Sequence, residues 1–244
     1  MAQIAYLEDE KIKISRGMVK GVIPIHKFGA VPAMSTSQTG TVWDKNDTLY
    51  PWSTWSAGAN TITVSSSSAS DVNASVIVVG LDANYDILEE EITLVAQANN
   101  ASSNSFIRVH RAYMGLNVNT NIGTISIKNG ATDVALITAG LGQTLMAIYT
   151  IPRNYTGYLY QGTASAQAGA DGTGNMFIRF DGTSAFRVAH TFEVAGGGGQ
   201  YDYSFSFPPQ IPQKSDIDVR MTTRSNNGRY TAAFDLLLVK NSNN

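Results

Sequence analysis

Val76-Ile-Val-Val-Gly-Leu-Asp-Ala-Asn-Tyr-Asp-Ile-Leu-Glu-Glu-Glu-Ile-Thr-Leu-Val95 decides the fold class of this 244-residue chain. Two short β-branched runs, Val76–Val79 and Ile92–Val95, flank Gly80-Leu-Asp-Ala-Asn-Tyr-Asp86, which is dense in turn-forming residues. The stretch therefore reads as two strands joined by a hairpin loop. Asp82-x-Asn84-x-Asp86 has the opening spacing of a calcium loop, but the sixth and twelfth positions are Ile87 and Thr93 where Gly and Glu are needed. A polar hairpin tip is the better reading. Glu89-Glu-Glu91 reads as a solvated strand face that guards an edge against unwanted pairing.

The same pattern continues outward in both directions. Ile62-Thr-Val64, Phe106-Ile-Arg-Val109, Ile125-Ser-Ile127 and Val134-Ala-Leu-Ile137 are short apolar or alternating runs bounded by turn residues. Met146–Ile151, Tyr158–Tyr160, Met176–Phe180, Phe186–Val188, Thr191–Val194, Tyr203–Phe207, Ile217–Met221 and Phe234–Val239 follow. No window carries an apolar 3.6-residue period of helical length. The expectation is an all-β protein, an antiparallel sandwich of jelly-roll type.

Three segments suggest themselves. Residues 1–50 are poor in regular signals yet hold alternating apolar positions (Ile12, Ile14; Val22, Ile23, Ile25), as an extended N-terminal arm would. Residues 51–140 form a first β-sandwich unit and residues 141–244 a second, with Gly140-Leu-Gly142 as the joint. One continuous sandwich is the alternative.

Composition narrows the function classes. The absence of cysteine excludes disulfides, thiolate metal sites and cysteine nucleophiles. Charged residues make up 15%, against about 25% in typical soluble domains, which suits neutral surfaces that meet other proteins. The formal net charge of −2 offers no general attraction to nucleic acid or anionic membrane. Its distribution is uneven: basic residues outnumber acids over 1–27 and 106–244, and acids dominate 28–105. Such segregation can draw copies together head to tail. No apolar run reaches the length of a membrane span, and the N-terminus lacks a secretory pattern, so synthesis and folding in a cytoplasm are expected.

No residue set points to catalysis, and no cofactor or metal is expected. His26, His110 and His190 have no ligand-like spacing, and neither a nucleophile elbow nor a Walker A run occurs. Trp43, Trp52 and Trp55 cluster around Tyr50. Such a group can anchor an interface or stack sugars, and it can equally seal the mouth of a sandwich core. Arg220 and Arg224, interleaved with aromatics and acids, suit pairing between subunits. Candidate docking residues are thus Ile12, Ile14, Val22, Ile23, Ile25, the three tryptophans, Arg220 and Arg224.

Several stretches resemble small virion structural proteins of marine tailed bacteriophages, including those infecting cyanobacteria. They are Val42–Trp52, Ser105–Tyr113, Ala139–Pro152, Phe186–Val194, Ile211–Arg220 and Ala232–Val239. The resemblance implies a virion location after synthesis in a bacterial host, and it carries over no catalytic residue. The expected partners are further copies in a trimer or ring, and other virion proteins such as the major capsid protein or neck and tail proteins. A decoration, cement or neck role leads, and a tail or baseplate component that binds a host receptor is the alternative.

Overall fold

The computed structural model describes residues 10–45, 47–115, 120–197 and 199–242. A short helix, α1 (Glu10–Ser15), precedes β1 (Val22–Met34) and β2 (Thr39–Thr41). Next come β3 (Asn60–Ser66), β4 (Ser75–Leu81), β5 (Ile87–Thr93), β6 (Asn100–Phe106), β7 (Arg108–Met114), β8 (Ile125–Asn129) and β9 (Thr132–Ile137). The chain closes with β10 (Ile148–Thr150), β11 (Tyr155–Ala166), β12 (Gly172–Arg179), β13 (Arg187–Val194), β14 (Gln200–Ser204), β15 (Gln210–Ile211), β16 (Asp216–Thr223) and β17 (Gly228–Lys240). The protein is all-β, and its described strand pairs are antiparallel.

Two pairs of sheets form. One pair is β6-β3-β8-β9 with β5-β4-β7, closed around Ile62, Val64, Val76, Val78, Ile125 and Ile127. The other is β1-β17-β11-β14 with β10-β16-β12-β13, β15 joining the first sheet through β11 and β2 the second through β16. Its core includes Phe192, Val219, Tyr230, Phe234, Leu236 and Leu238. Burial alternates along β12 and β17 as the two-residue strand period requires, one side chain inward and the next outward.

The Asp82 loop is the tip of the β4–β5 hairpin. Asp82 Oδ1 accepts from the amides of Asn84 (2.8 Å) and Asp86 (2.9 Å), and Asp86 pairs with Arg153. β5 is an edge strand, and Glu89 and Glu91 line its exposed face.

The segment read as an arm requires correction. Val22–Met34 is a full strand that pairs with β17 from Val22↔Val239 to Met34↔Gly228, and Thr39–Thr41 pairs with β16. Ile12 and Ile14 lie on α1, whereas Val22, Ile23 and Ile25 lie opposite Val239, Leu238 and Leu236, more than two hundred positions away, a separation that local sequence does not reveal. The part of the expected arm over residues 1–9 lies outside the described residues. The first sandwich is therefore an insertion between β2 and β10 of the second. Gly140-Leu-Gly142 lies on the return path between β9 and β10, with Gly140 and Gly142 at positive φ. Another glycine fixes how the chain leaves the second sandwich: a side chain at Gly29 would strike the Val42 carbonyl and the Ala147 amide.

Candidate functional site

β16 reads Asp216-Ile-Asp-Val-Arg-Met221, with apolar residues on one face and charged residues on the other. Ile217, Val219 and Met221 enter the core of the second sandwich. The charged face meets the first sandwich. Arg108, from β7, grips Asp216 with two donors, Nε at 2.8 Å and Nη2 at 3.1 Å. Arg179 Nη2 and Thr150 Oγ1 each donate to the same carboxylate at 2.6 Å. Asp218 accepts from Thr41 Oγ1 (2.8 Å), Trp52 Nε1 (2.9 Å) and Arg220 Nε (2.8 Å). Trp52 and Phe186 cover the guanidinium groups, with Arg179 4.7 Å and Arg220 4.6 Å from the Phe186 ring centre. Burial lowers the affinity of Arg108 for its proton, but the Asp216 carboxylate outweighs that and raises the pKa.

A second layer lies behind this latch. Lys27 Nζ donates to the His110 carbonyl at 2.5 Å, and the Thr150 amide donates to His110 Nε2 at 3.2 Å. A backbone amide only donates, so Nε2 is an acceptor and His110 is neutral with its proton on Nδ1. Burial, reinforced by the charges of Lys27 and Arg108, holds the His110 pKa well below the usual value. Burial, with repulsion from Arg111, lowers that of Lys27 to about 7.

These shifts give stability a sign against pH. Lys27 binds fewer protons folded than unfolded between about pH 7 and its ordinary 10.5, so stability rises with pH across that window. His110 acts in the same sense lower down: stability falls as pH drops below 6.5. Asp44, raised to about 6 chiefly by burial, opposes His110 but lies outside the Lys27 window. Urea midpoints are therefore expected to climb from pH 7 to 9.5 in the native chain. In Lys27→Met the climb should flatten, and an unchanged slope would refute this account.

The predicted docking residues fall in different places. Ile12 is exposed and Ile14 half-buried on α1, whereas Val22, Ile23 and Ile25 are half-buried in β1. Trp43, Trp52 and Trp55 are 1%, 6% and 3% exposed, which corrects their reading as docking residues: they seal the core of the first sandwich and the junction above it. Arg220 is turned inward onto Asp218, so it pairs within the chain and not between subunits. Arg224 remains exposed, paired with Glu193 at 2.7 Å.

Two surfaces stand out, and only the second includes docking residues named from the sequence, Ile14 and Ile25. The first is the open edge of the second sandwich, where β13 ends one sheet and β14 the other. Tyr201, Tyr203 and Phe205 alternate along this edge and stack with Phe192 and His190, at centroid distances of 5.1 Å for Phe192–Tyr201 and 5.1 Å for His190–Tyr203. A side chain at Gly174 would collide with the Phe192 ring, so that glycine makes room for the ladder. Val188, Tyr203 and Phe207 stand exposed beside it. The available signal was the run Tyr201-x-Tyr203-x-Phe205-x-Phe207 with its two-residue period, stopped by Pro208-Pro209.

The second surface is a groove of about 460 Å³ on the outer face of the β1-β17-β11 sheet. Pro24, Ile25, Tyr160 and Leu237 form its floor, and α1 walls it with Ile14 and Lys11. Lys11 Nζ lies 5.1 Å from the Tyr160 ring centre. Asp235 at the rim pairs with His26 and accepts from Gln161 Nε2 at 2.6 Å. Among the described residues there is no group of three or more His, Asp or Glu placed to hold a metal ion, and no helix long and apolar enough to cross a membrane.

No family model matches the sequence, and no curated protein matches it. Among solved structures, the chain is similar to VP2 of infectious bursal disease virus in a subviral particle. That match covers 91% of this chain and 73% of the other, at 9% identity and a TM-score of 0.22. T=1 particles derived from infectious bursal virus match over 91% and 70%, at 11% identity and a TM-score of 0.20. The Gx strain of infectious bursal disease virus gives 91% and 73%, 11% and 0.22. Likeness at this level assigns this chain no role.

Proposed function

We propose that this chain is a non-enzymatic structural protein of a virus particle, a bacteriophage capsid-surface decoration or cement protein or a neck component. In this role it self-associates and docks on other virion proteins. The observation that carries the reading is the open aromatic edge of β13 and β14 with Phe207 projecting from it. The body that bears this edge is braced by a buried ionic latch between its two sandwiches. A protein that works by contact needs such a rigid support under an apolar, aromatic surface. The carboxylates of Asp216 and Asp218 are occupied by arginine, hydroxyl and indole donors, which suits bracing better than proton transfer. The resemblance to virion proteins of marine tailed phages supports the location.

The ladder also supports a second reading, because exposed tyrosine and phenylalanine rings can stack sugars. In that case the chain is a tail or baseplate component that touches a host glycan or receptor.

Location on the particle separates the two. A particle map is expected to place the chain on the head or neck, and a few copies at the baseplate tip would favour the second reading. Deleting residues 1–21, which spares β1, should leave a folded chain with reduced occupancy on particles. Normal occupancy would remove the N-terminal segment from the docking mechanism.

A further inference from the structure

His110 is the one buried histidine of the three, at 4% exposure, and it stands where the two sandwiches meet. Its Nε2 accepts from the Thr150 amide of β10, and its carbonyl accepts from Lys27 Nζ of β1. Both bonds cross from the first sandwich to the second. The Tyr149 ring of β10 packs on the imidazole at a centroid distance of 4.5 Å. The charges that act on it are Lys27 from β1 and Arg108 from its own strand. Arg111, also on β7, is exposed and acts on Lys27. On β16, Asp216 is linked to the imidazole through Thr150, whose hydroxyl donates to it, but Arg108 and Arg179 already hold that carboxylate.

A further proton fits badly here. A protonated imidazole donates from both nitrogens, so Nε2–H would face the Thr150 N–H, donor against donor. The new charge would join Lys27 and Arg108 in a site closed to water, where an unpaired cation is costly. Hydration relieves that cost, and the imidazole reaches water when β7 lifts from β10.

The surrounding bonds allow such a movement at one end of β7. The segments that link the sandwiches, residues 42–59 and 138–147, are tied to each other. Trp43 bridges to Met146, and Asp44 accepts from the Leu145 amide at 2.7 Å and the Thr138 hydroxyl at 3.3 Å. β7 is fastened to the second segment by backbone bonds at its far end, Met114 amide to Gly142 carbonyl and Thr144 amide to Ala112 carbonyl, at 2.8 and 2.9 Å. Its other end meets the second sandwich through the side chains of Arg108, His110 and Lys27. One end is a hinge and the other a latch. Each sandwich encloses its own core, and opening also costs the bond from the Arg153 amide to the Tyr85 carbonyl.

We infer that acid opens this protein at the latch: protonation of His110 parts the two sandwiches about the segments at Trp43 and Met146 while each stays folded. The closed form keeps the imidazole neutral well below its ordinary 6.5, and the open form returns it to water. Below that value the open form binds the extra proton, and each further pH unit favours opening about tenfold. Such opening is a local event, distinct from global unfolding. It bares Trp52 and the charged face of β16, which changes the surface offered to a partner. The inference goes beyond the proposed structural role and does not depend on it.

Hydrogen exchange, corrected for its intrinsic pH dependence, and small-angle scattering on the native chain from pH 7.5 down to 4 provide the test. The Thr150 amide should lose protection and the maximum dimension should grow in one reversible step. Amides of β4 and β17 should stay protected, with far-ultraviolet circular dichroism retained. His110→Gln keeps an acceptor for the Thr150 amide and gains no charge, so its opening should move down by at least about one pH unit. If that variant does not fold, ¹⁵N-labelled histidine in the native chain decides: His110 should pass from neutral to cationic in the step that opens the junction. A native chain that stays closed to pH 4, or loses both sandwiches in a single step, would overturn the inference. So would an opening midpoint unchanged in His110→Gln, or a His110 that remains neutral while the junction opens.

Discussion

Replacing Asp216 with alanine is expected to destabilise the folded chain by about 3–5 kcal/mol, the cost of removing one partner from a buried ion pair. Asp216 and Arg108 are almost completely buried, with side-chain exposures of 3% and 8%. The variant leaves the Arg108 guanidinium without its carboxylate, and Arg179 loses the same partner. Arg108 cannot recover full hydration while the two sandwiches stay together. In a chain of this length the loss corresponds to a fall in melting temperature of roughly 6–20 °C. Thermal or urea unfolding followed by circular dichroism measures it. Arg108→Met combined with Asp216→Leu should recover part of the loss, because an apolar pair replaces a buried charge without orphaning it. Arg179 is more exposed, at 18%, and can turn toward water. A double variant as unstable as the sum of the two single ones would show that the residues act independently and not as one latch.

Trp43→Ala should cost a similar amount, about 3–5 kcal/mol, by emptying a core site. Trp43 is 1% exposed, meets Tyr50 edge-on at 5.3 Å, and donates from Nε1 to the Thr48 carbonyl at 3.1 Å. Its backbone also bridges to Met146, where the chain returns from the first sandwich to the second. The substitution removes a large apolar surface and the indole's hydrogen bond to the Thr48 carbonyl. A variant that unfolds at the native temperature but fails to dock would restore Trp43 to the outside of the protein. The expected result is early unfolding.

The residues of β16 mark the boundary of what was legible in the sequence. Its alternation reveals a strand with an apolar and a charged face, and a charged face ordinarily meets water. Here it meets β7 of the other sandwich, because Arg108 supplies the charge that makes burial tolerable. The Arg108–Asp216 pairing spans 108 positions, and nothing within either strand's local pattern marks it. The tryptophan cluster has the same lesson in reverse. Rings that suit an interface and rings that suit a core look alike until the neighbouring sheet is in place. Phe207 was visible as the end of an aromatic alternation, but its exposure depends on how Leu159 and Tyr160 hold the loop.

The sequence by itself determined that this protein is built of antiparallel strands. Short β-branched runs, two-residue alternation and turn residues act locally, within the few positions that make a strand or hairpin. It also showed that cysteine chemistry plays no part. Tertiary structure alone decided which strands share a sheet. It moved β1 from an expected arm to the edge beside β17, inserted one sandwich within the other, and buried the charged face of β16. These outcomes rest on pairings between distant segments, whose energy depends on the partner that each strand finally meets.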